Sequence, residues 1–166
     1  MKLTTSQFTG CWFSLGASIT IIIVILKMFG PHVSYLYMVL AYLSCCLMAF
    51  YSGSQFGPHI LTLEDWRLKN WIKAIIYGWC IAISSLYVML FVLLIVDFSQ
   101  TELLRNIHNK QYYLILVNLF LSPILAGLAT LLGIFFEPLV MGGSALGAIL
   151  LFTLRKKVLK ICSSPG

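Results

Sequence analysis

The chain has 166 residues, 60% of them hydrophobic and only 10% charged, with a formal net charge of +6 and a mean hydropathy of +0.97. A soluble domain carries about 25% charged residues, so this composition excludes an ordinary water-soluble fold and points to an all-α, polytopic helical membrane protein. The cations sit in short groups beside apolar runs, where they set topology and meet anionic headgroups. The expected partners are the lipid bilayer and other membrane proteins or further copies of the chain, with no nucleic acid.

Residues 1–166 read as a single transmembrane helical domain of five apolar segments, at about 11–28, 32–51, 71–96, 112–136 and 138–154. The first ends at Lys27 and is followed by Gly30-Pro31, glycine suiting a helix C-cap and proline the first turn of the next helix. The second segment carries Ala41, Cys45 and Ala49 at four-residue spacing, and the third carries Ala74, Gly78 and Ala82 in the same way. In lipid, columns of small residues mark close helix contact, so these two segments are expected to pack together through them. The five cysteines show no Cys-x-x-Cys spacing and are expected to be free.

Between the second and third segments, Ser52–Asn70 reads as the one long polar connection. Within it Thr62 is expected to cap a helix whose first turn holds Glu64 and Asp65. Trp66 and Trp71 fit the water–lipid boundary. After the third segment, Ser99-Gln100-Thr101-Glu102 reads as a capping box opening a short interfacial helix to about Asn109.

Tyr112–Leu154 contains one charged side chain, Glu137, and is roughly twice the length of about 20 residues that a single crossing needs. Its best break is Phe136-Glu137-Pro138, because the residue before a proline is biased away from helix. Asn118, Ser122, Ala126 and Thr130 form a column ahead of the break, and Gly143-x-x-x-Gly147 follows it. The block closes at Arg155-Lys156-Lys157, which reads as a cationic stop.

Two arrangements are compatible with these segments. With four net crossings, Lys2, Arg67, Lys69, Lys73, Arg155, Lys156, Lys157 and Lys160 face the cytoplasm, against Lys27, Arg105 and Lys110 outside. With five crossings, Lys27, Arg105 and Lys110 join the tail inside, while Lys2, Arg67, Lys69 and Lys73 face out. The four-crossing arrangement has the stronger lysine and arginine bias and the five-helix arrangement the simpler geometry, toward which the reading leans. The C-terminal tail is cytoplasmic in both.

Chemistry-bearing motifs are sparse. Phe29-Gly30-Pro31-His32 recurs as Phe56-Gly57-Pro58-His59. A helix of about 20 residues separates the two by about 30 Å, whereas zinc ligands lie about 2 Å from their metal. Each tetrapeptide therefore reads as a turn at one mouth of the second segment. No His-Glu-x-x-His, Gly-x-Ser-x-Gly or phosphate-binding glycine loop is present, so no catalytic residue, metal or cofactor is assigned. The functional expectation is a non-enzymatic membrane protein acting through helix–helix contacts, an accessory or assembly subunit. The alternative is a small transporter or channel whose polar path runs through Asn118, Ser122, Thr130 and Glu137.

Gly57, Thr62, Glu64 and Arg67, between a helical hairpin and a third helix, resemble the cytoplasmic loop of a family of small bacterial inner-membrane proteins of unknown function (ABZJ-type). Pro58 departs from the pattern, standing where that family usually has arginine. The resemblance covers about a dozen residues, together with helix count and size. It implies a bacterial inner-membrane address and a cytoplasmic 52–70 loop, and no activity.

Overall fold

A computed structural model of the chain describes residues 4–29, 35–64, 66–98, 108, 112–136 and 138–163. The described residues form five α-helices and no strand: α1 (Thr5–Phe29), α2 (Tyr35–Leu61), α3 (Leu68–Phe98), α4 (Tyr112–Phe136) and α5 (Pro138–Ser163). The Gly30-Pro31 turn, the capping box at Ser99–Glu102 and Glu137 itself lie outside the described residues.

Several helices run well past the apolar segments that announce them, and each extension has a local cause. α1 starts at Thr5 because Thr4 and Gln7 form a reciprocal capping box. The Gln7 N–H donates to Thr4 Oγ1 at 3.3 Å and the Thr4 N–H donates to Gln7 Oε1 at 3.0 Å, satisfying two donors that a helix start leaves open.

α2 corrects the reading of residues 52–61 as a polar connection. It continues unbroken through Phe56-Gly57-Pro58-His59, so that tetrapeptide is a stretch of helix and not a turn. Pro58 costs one helical hydrogen bond close to the C-terminus, and the carbonyls beyond it are still used. The Thr62 N–H donates to the Pro58 carbonyl at 3.1 Å, and Thr62 Oγ1 donates to the His59 carbonyl at 2.9 Å. Thr62 thus finishes α2 and does not open the next helix. α3 begins instead after Arg67, whose carbonyl accepts from Asn70 N–H at 2.9 Å, so the connection shrinks to residues 62–67.

α5 likewise passes through Arg155-Lys156-Lys157 and ends at Ser163; the cationic stop is a helical segment.

The contacts fix the directions. Thr9, Phe13 and Ser18 of α1 meet Gly57, Gly53 and Cys46 of α2 respectively, so the pair is antiparallel. Gly78 of α3 meets Ser144 and Ala148 of α5, and Trp71 meets Phe152, so these also run antiparallel. α1 and α3 therefore point one way and α2 and α5 the other. α4 lies outside this group and packs mainly on α3.

Two buried clusters follow. One, at the end carrying the 62–67 connection, is built on Phe13, Ile60, Leu61, Ala74, Leu151 and Phe152. The other, toward the far end, is built on Ile21, Ala41, Cys45 and Met89.

The outer surface is apolar on every helix, with Leu15, Ile19, Leu43, Leu47, Ile76, Phe120, Leu128 and Leu146 all exposed. In water each such side chain would forfeit roughly 1.5–3 kcal/mol relative to burial; against lipid it forfeits nothing. Among the described residues, three stretches, Tyr37–Leu61, Leu68–Val96 and Tyr113–Leu132, are long and apolar enough to cross a membrane. These are the features of an integral membrane protein.

Candidate functional site

The small-residue columns are buried and the two helices that carry them pack together, though part of the α3 column meets a different helix. Ala41, Cys45 and Ala49 are all buried, and the first two lie in a cluster with Ile21 of α1 and Met89 of α3. Ala74, Gly78 and Ala82 are buried as well, yet Gly78 faces α5. A Cβ there would lie 2.7 Å from the Ser144 carbonyl oxygen and 2.9 Å from the Ala148 Cβ. Ser144 Oγ also donates to the Gly78 carbonyl at 2.5 Å. α2 and α3 do pack together as expected, while at Gly78 the α3 column faces α5.

Among the described glycines, the least room for an added Cβ is between α1 and α2, at glycines outside both columns. A Cβ at Gly57 would lie 2.3 Å from the Thr9 Cβ, and one at Gly10 would lie 2.9 Å from the Phe50 carbonyl oxygen. The signal was available in sequence as Gly53-x-x-x-Gly57. Reading Ser52–Asn70 as a polar connection, with a turn at Phe56–His59, concealed it.

The α4 column is half-hidden against α3. Ser122, Ala126 and Thr130 are buried, and Asn118 is partly exposed. Both hydroxyls are spent on their own helix: Ser122 Oγ donates to the Asn118 carbonyl and Thr130 Oγ1 to the Ala126 carbonyl, each at 2.7 Å. A hydroxyl already donated in this way offers a solute little beyond its lone pairs. At Ser122 and Thr130 the column is a packing face whose hydroxyls are satisfied within α4. Glu137, the fourth residue assigned to the polar path, lies outside the described residues.

Gly143 and Gly147 do not bring two helix backbones together. Gly143 is exposed, its nearest neighbour to an added Cβ being Thr20 Oγ1 at 3.5 Å. Gly147 lies beside Trp12 and Phe13, and its carbonyl accepts from Trp12 Nε1 at 3.1 Å.

These two glycines line a cavity of about 380 Å³ walled by α1 and α5 and floored by α2 and α3. Leu15 and Ile19 form one rim, Leu146 and Leu150 the other, and Ile81, Ala82 and Met89 the floor. The lining is almost entirely apolar. Its few polar groups are engaged already: Thr20 Oγ1 donates to the Gly16 carbonyl at 2.9 Å and Ser85 Oγ to the Ile81 carbonyl at 2.7 Å.

The other feature that sequence reasoning missed is Arg155. It is 3% exposed. Its Nη1 donates to the Phe152 carbonyl at 2.9 Å, and its Nη2 donates to the Glu64 carbonyl at 2.6 Å. The guanidinium lies 4.9 Å from the Trp66 ring centroid and 4.4 Å from that of Phe152. Trp66, Trp71 and Phe152 in turn contact one another, with ring centroids 5.2–5.7 Å apart. The side chain fastens the 62–67 connection to α5, using planar donors and a cation–π face that lysine lacks.

Its neighbours Lys156, Lys157 and Lys160 are exposed, as are Arg67, Lys69 and Lys73. Cations from both ends of the Arg155 link thus gather at one end of the bundle. The five cysteines are all free. Comparison with protein-family models, with curated proteins and with solved structures found no match.

Proposed function

We propose that the chain is a multi-pass membrane protein that works without catalysis, by lateral contact with another membrane protein, as an accessory or assembly subunit. The observation that carries this reading is the position of α4. It is anchored mainly to α3 and exposes Leu116, Phe120, Ile124, Leu128 and Leu131, the last three lining with Gly127 an open groove beside Met48 of α2 and Tyr87 of α3. At Gly127 an added Cβ would meet nothing within 4 Å. A helix held along one side, with an open glycine on its flank, lets a second helix approach closely in a solvent where apolarity alone gives no preference.

The cationic end is assigned to the cytoplasm by the lysine and arginine bias. The start of α1, the end of α2 and the end of α5 all meet there through Thr9–Gly57 and Arg155–Glu64. This supports the arrangement with four net crossings and both termini inside, and it counts against the five-crossing alternative. A bacterial inner-membrane address rests on the resemblance of the 57–67 stretch.

A photo-crosslinker at Leu128, with Leu43 on α2 as an equally lipid-exposed control, tests the reading. A single stoichiometric adduct formed through Leu128 alone is expected. A lone monomer, or the same diffuse adducts from both positions, would sink it. Labelling of Cys162 from the cytoplasmic side only is the expected topology result.

A further inference from the structure

The cavity between α1 and α5 is shaped for something thin. At its cationic end the two helices touch through the Trp12 Nε1 bond to the Gly147 carbonyl, and higher up through Thr20 beside Gly143. An α-helix about 10 Å across cannot pass between them. The opening lies instead to the side, between Leu15 and Ile19 of α1 and Leu146 and Leu150 of α5. These four are 67%, 66%, 62% and 51% exposed and form rims facing the lipid. The volume is near the lower limit for small-molecule sites, about 300–1,000 Å³.

The hydroxyls around it and the Trp12 indole are committed to backbone carbonyls. The cavity therefore recognises hydrocarbon and no polar head. The head has its own place. Leu150 and Lys157 are seven residues apart on α5, two turns along one face and about 10 Å in rise. Lys157 is exposed, with exposed Lys156 and Lys160 beside it.

We propose that this cavity holds one acyl chain of an anionic phospholipid whose phosphate is met by Lys157, Lys156 and Lys160. The chain enters past Leu146 and Leu150, and the glycerol and phosphate ride along the same face of α5 to the cationic end. Gly16 and Gly143 keep the cavity open, because neither projects a side chain into it. The site is independent of the partner contact assigned to α4.

The test is native mass spectrometry of the full chain, delipidated in mild detergent and titrated with 16-carbon phosphatidylglycerol or phosphatidylcholine. One phosphatidylglycerol per chain is expected. Gly16→Leu and Gly143→Leu fill the cavity without backbone collision, since an added Cβ meets nothing within 4 Å at the first and only Thr20 Oγ1 at 3.5 Å at the second. Each should weaken binding about tenfold or more.

Gly142→Leu makes the same chemical change one residue away from the lining, where an added Cβ also meets nothing within 4 Å, and should leave binding within about twofold. Lys157→Gln should weaken phosphatidylglycerol about fivefold and phosphatidylcholine, whose choline already offsets the phosphate charge, by less than about twofold. Unchanged binding in both filled variants would overturn the proposal. So would equal loss in Gly142→Leu, an equal effect of Lys157→Gln on the two lipids, or displacement of a second copy of the chain in place of lipid.

Discussion

The two ends of the bundle solve the packing problem with different materials. At the cationic end four helices and the 62–67 connection converge on large side chains, and Ile60, Leu151 and Phe152 are fully enclosed. Toward the far end the cluster is smaller and built partly of Ala41 and Cys45, with the cavity opening beside it. α5 explains the difference. Its first described turns, from Val140 to Ser144, lie with Ala82 and Ser85 around the cavity, some 13 residues or about 20 Å short of the α3 terminus at Phe98. One helix of the packed group is therefore absent from the upper half. In lipid this carries little hydrophobic cost, because tails solvate exposed leucines as well as protein does. The tightly packed end depends on shape and hydrogen bonds, and there each substitution should register.

The largest effect is expected at Arg155. Arg155→Ala removes two charge-assisted hydrogen bonds and two cation–π contacts, and it leaves the Glu64 carbonyl without its donor. A loss of about 3–5 kcal/mol in detergent unfolding is expected. Arg155→Lys should recover less than half of that, because one ammonium cannot reproduce the fork. A wild-type unfolding curve for Arg155→Ala would remove the distinction between the two ends.

Next come the glycines, which probe the same contrast with one kind of change. Gly57→Ala and Gly78→Ala place a methyl group 2.3 Å from Thr9 Cβ and 2.7 Å from the Ser144 carbonyl oxygen, so each should cost about 1–3 kcal/mol. At Gly16 and Gly142, where an added Cβ meets nothing within 4 Å, alanine should instead add about 0.5–1 kcal/mol by restricting the backbone. Opposite signs at the two ends would sharpen the comparison; the same sign at all four positions would break it.

The smallest effect is expected on α4. Ser122→Ala and Thr130→Ala each delete a hydroxyl that bonds only its own helix, so stability should move by no more than about 0.6 kcal/mol. A much larger loss in either would indicate that the hydroxyl serves something beyond α4, and would revive the polar path.

The helical class and the membrane setting were legible because both follow from composition and period, which no tertiary contact can reverse. So was the burial of Ala41, Ala49, Ala74 and Gly78, since small residues at four-residue spacing have few other uses in lipid. That α2 and α3 pack together was legible too, but the partner of each column was not. A column of small side chains says that some helix comes close, and only the assembled bundle says that α5 approaches Gly78. Gly57-Pro58 misled for a related reason. In water that dipeptide ends a helix, but within a bundle that must satisfy its own carbonyls the helix runs on to Leu61.

What the sequence determined by itself is the solvent: too few charges for water and apolar runs of crossing length, with cations gathered at their margins. What only the tertiary structure decided is the use of particular residues. Arg155 became a buried fastening in place of a stop signal, Gly143 became the wall of a cavity in place of a packing seam, and the α4 hydroxyls became self-satisfied. The physical reason is that local sequence fixes which backbone bonds can form, whereas the worth of a guanidinium, a missing Cβ or a hydroxyl depends on what lies within a few ångströms. That neighbourhood exists only once the distant helices have met.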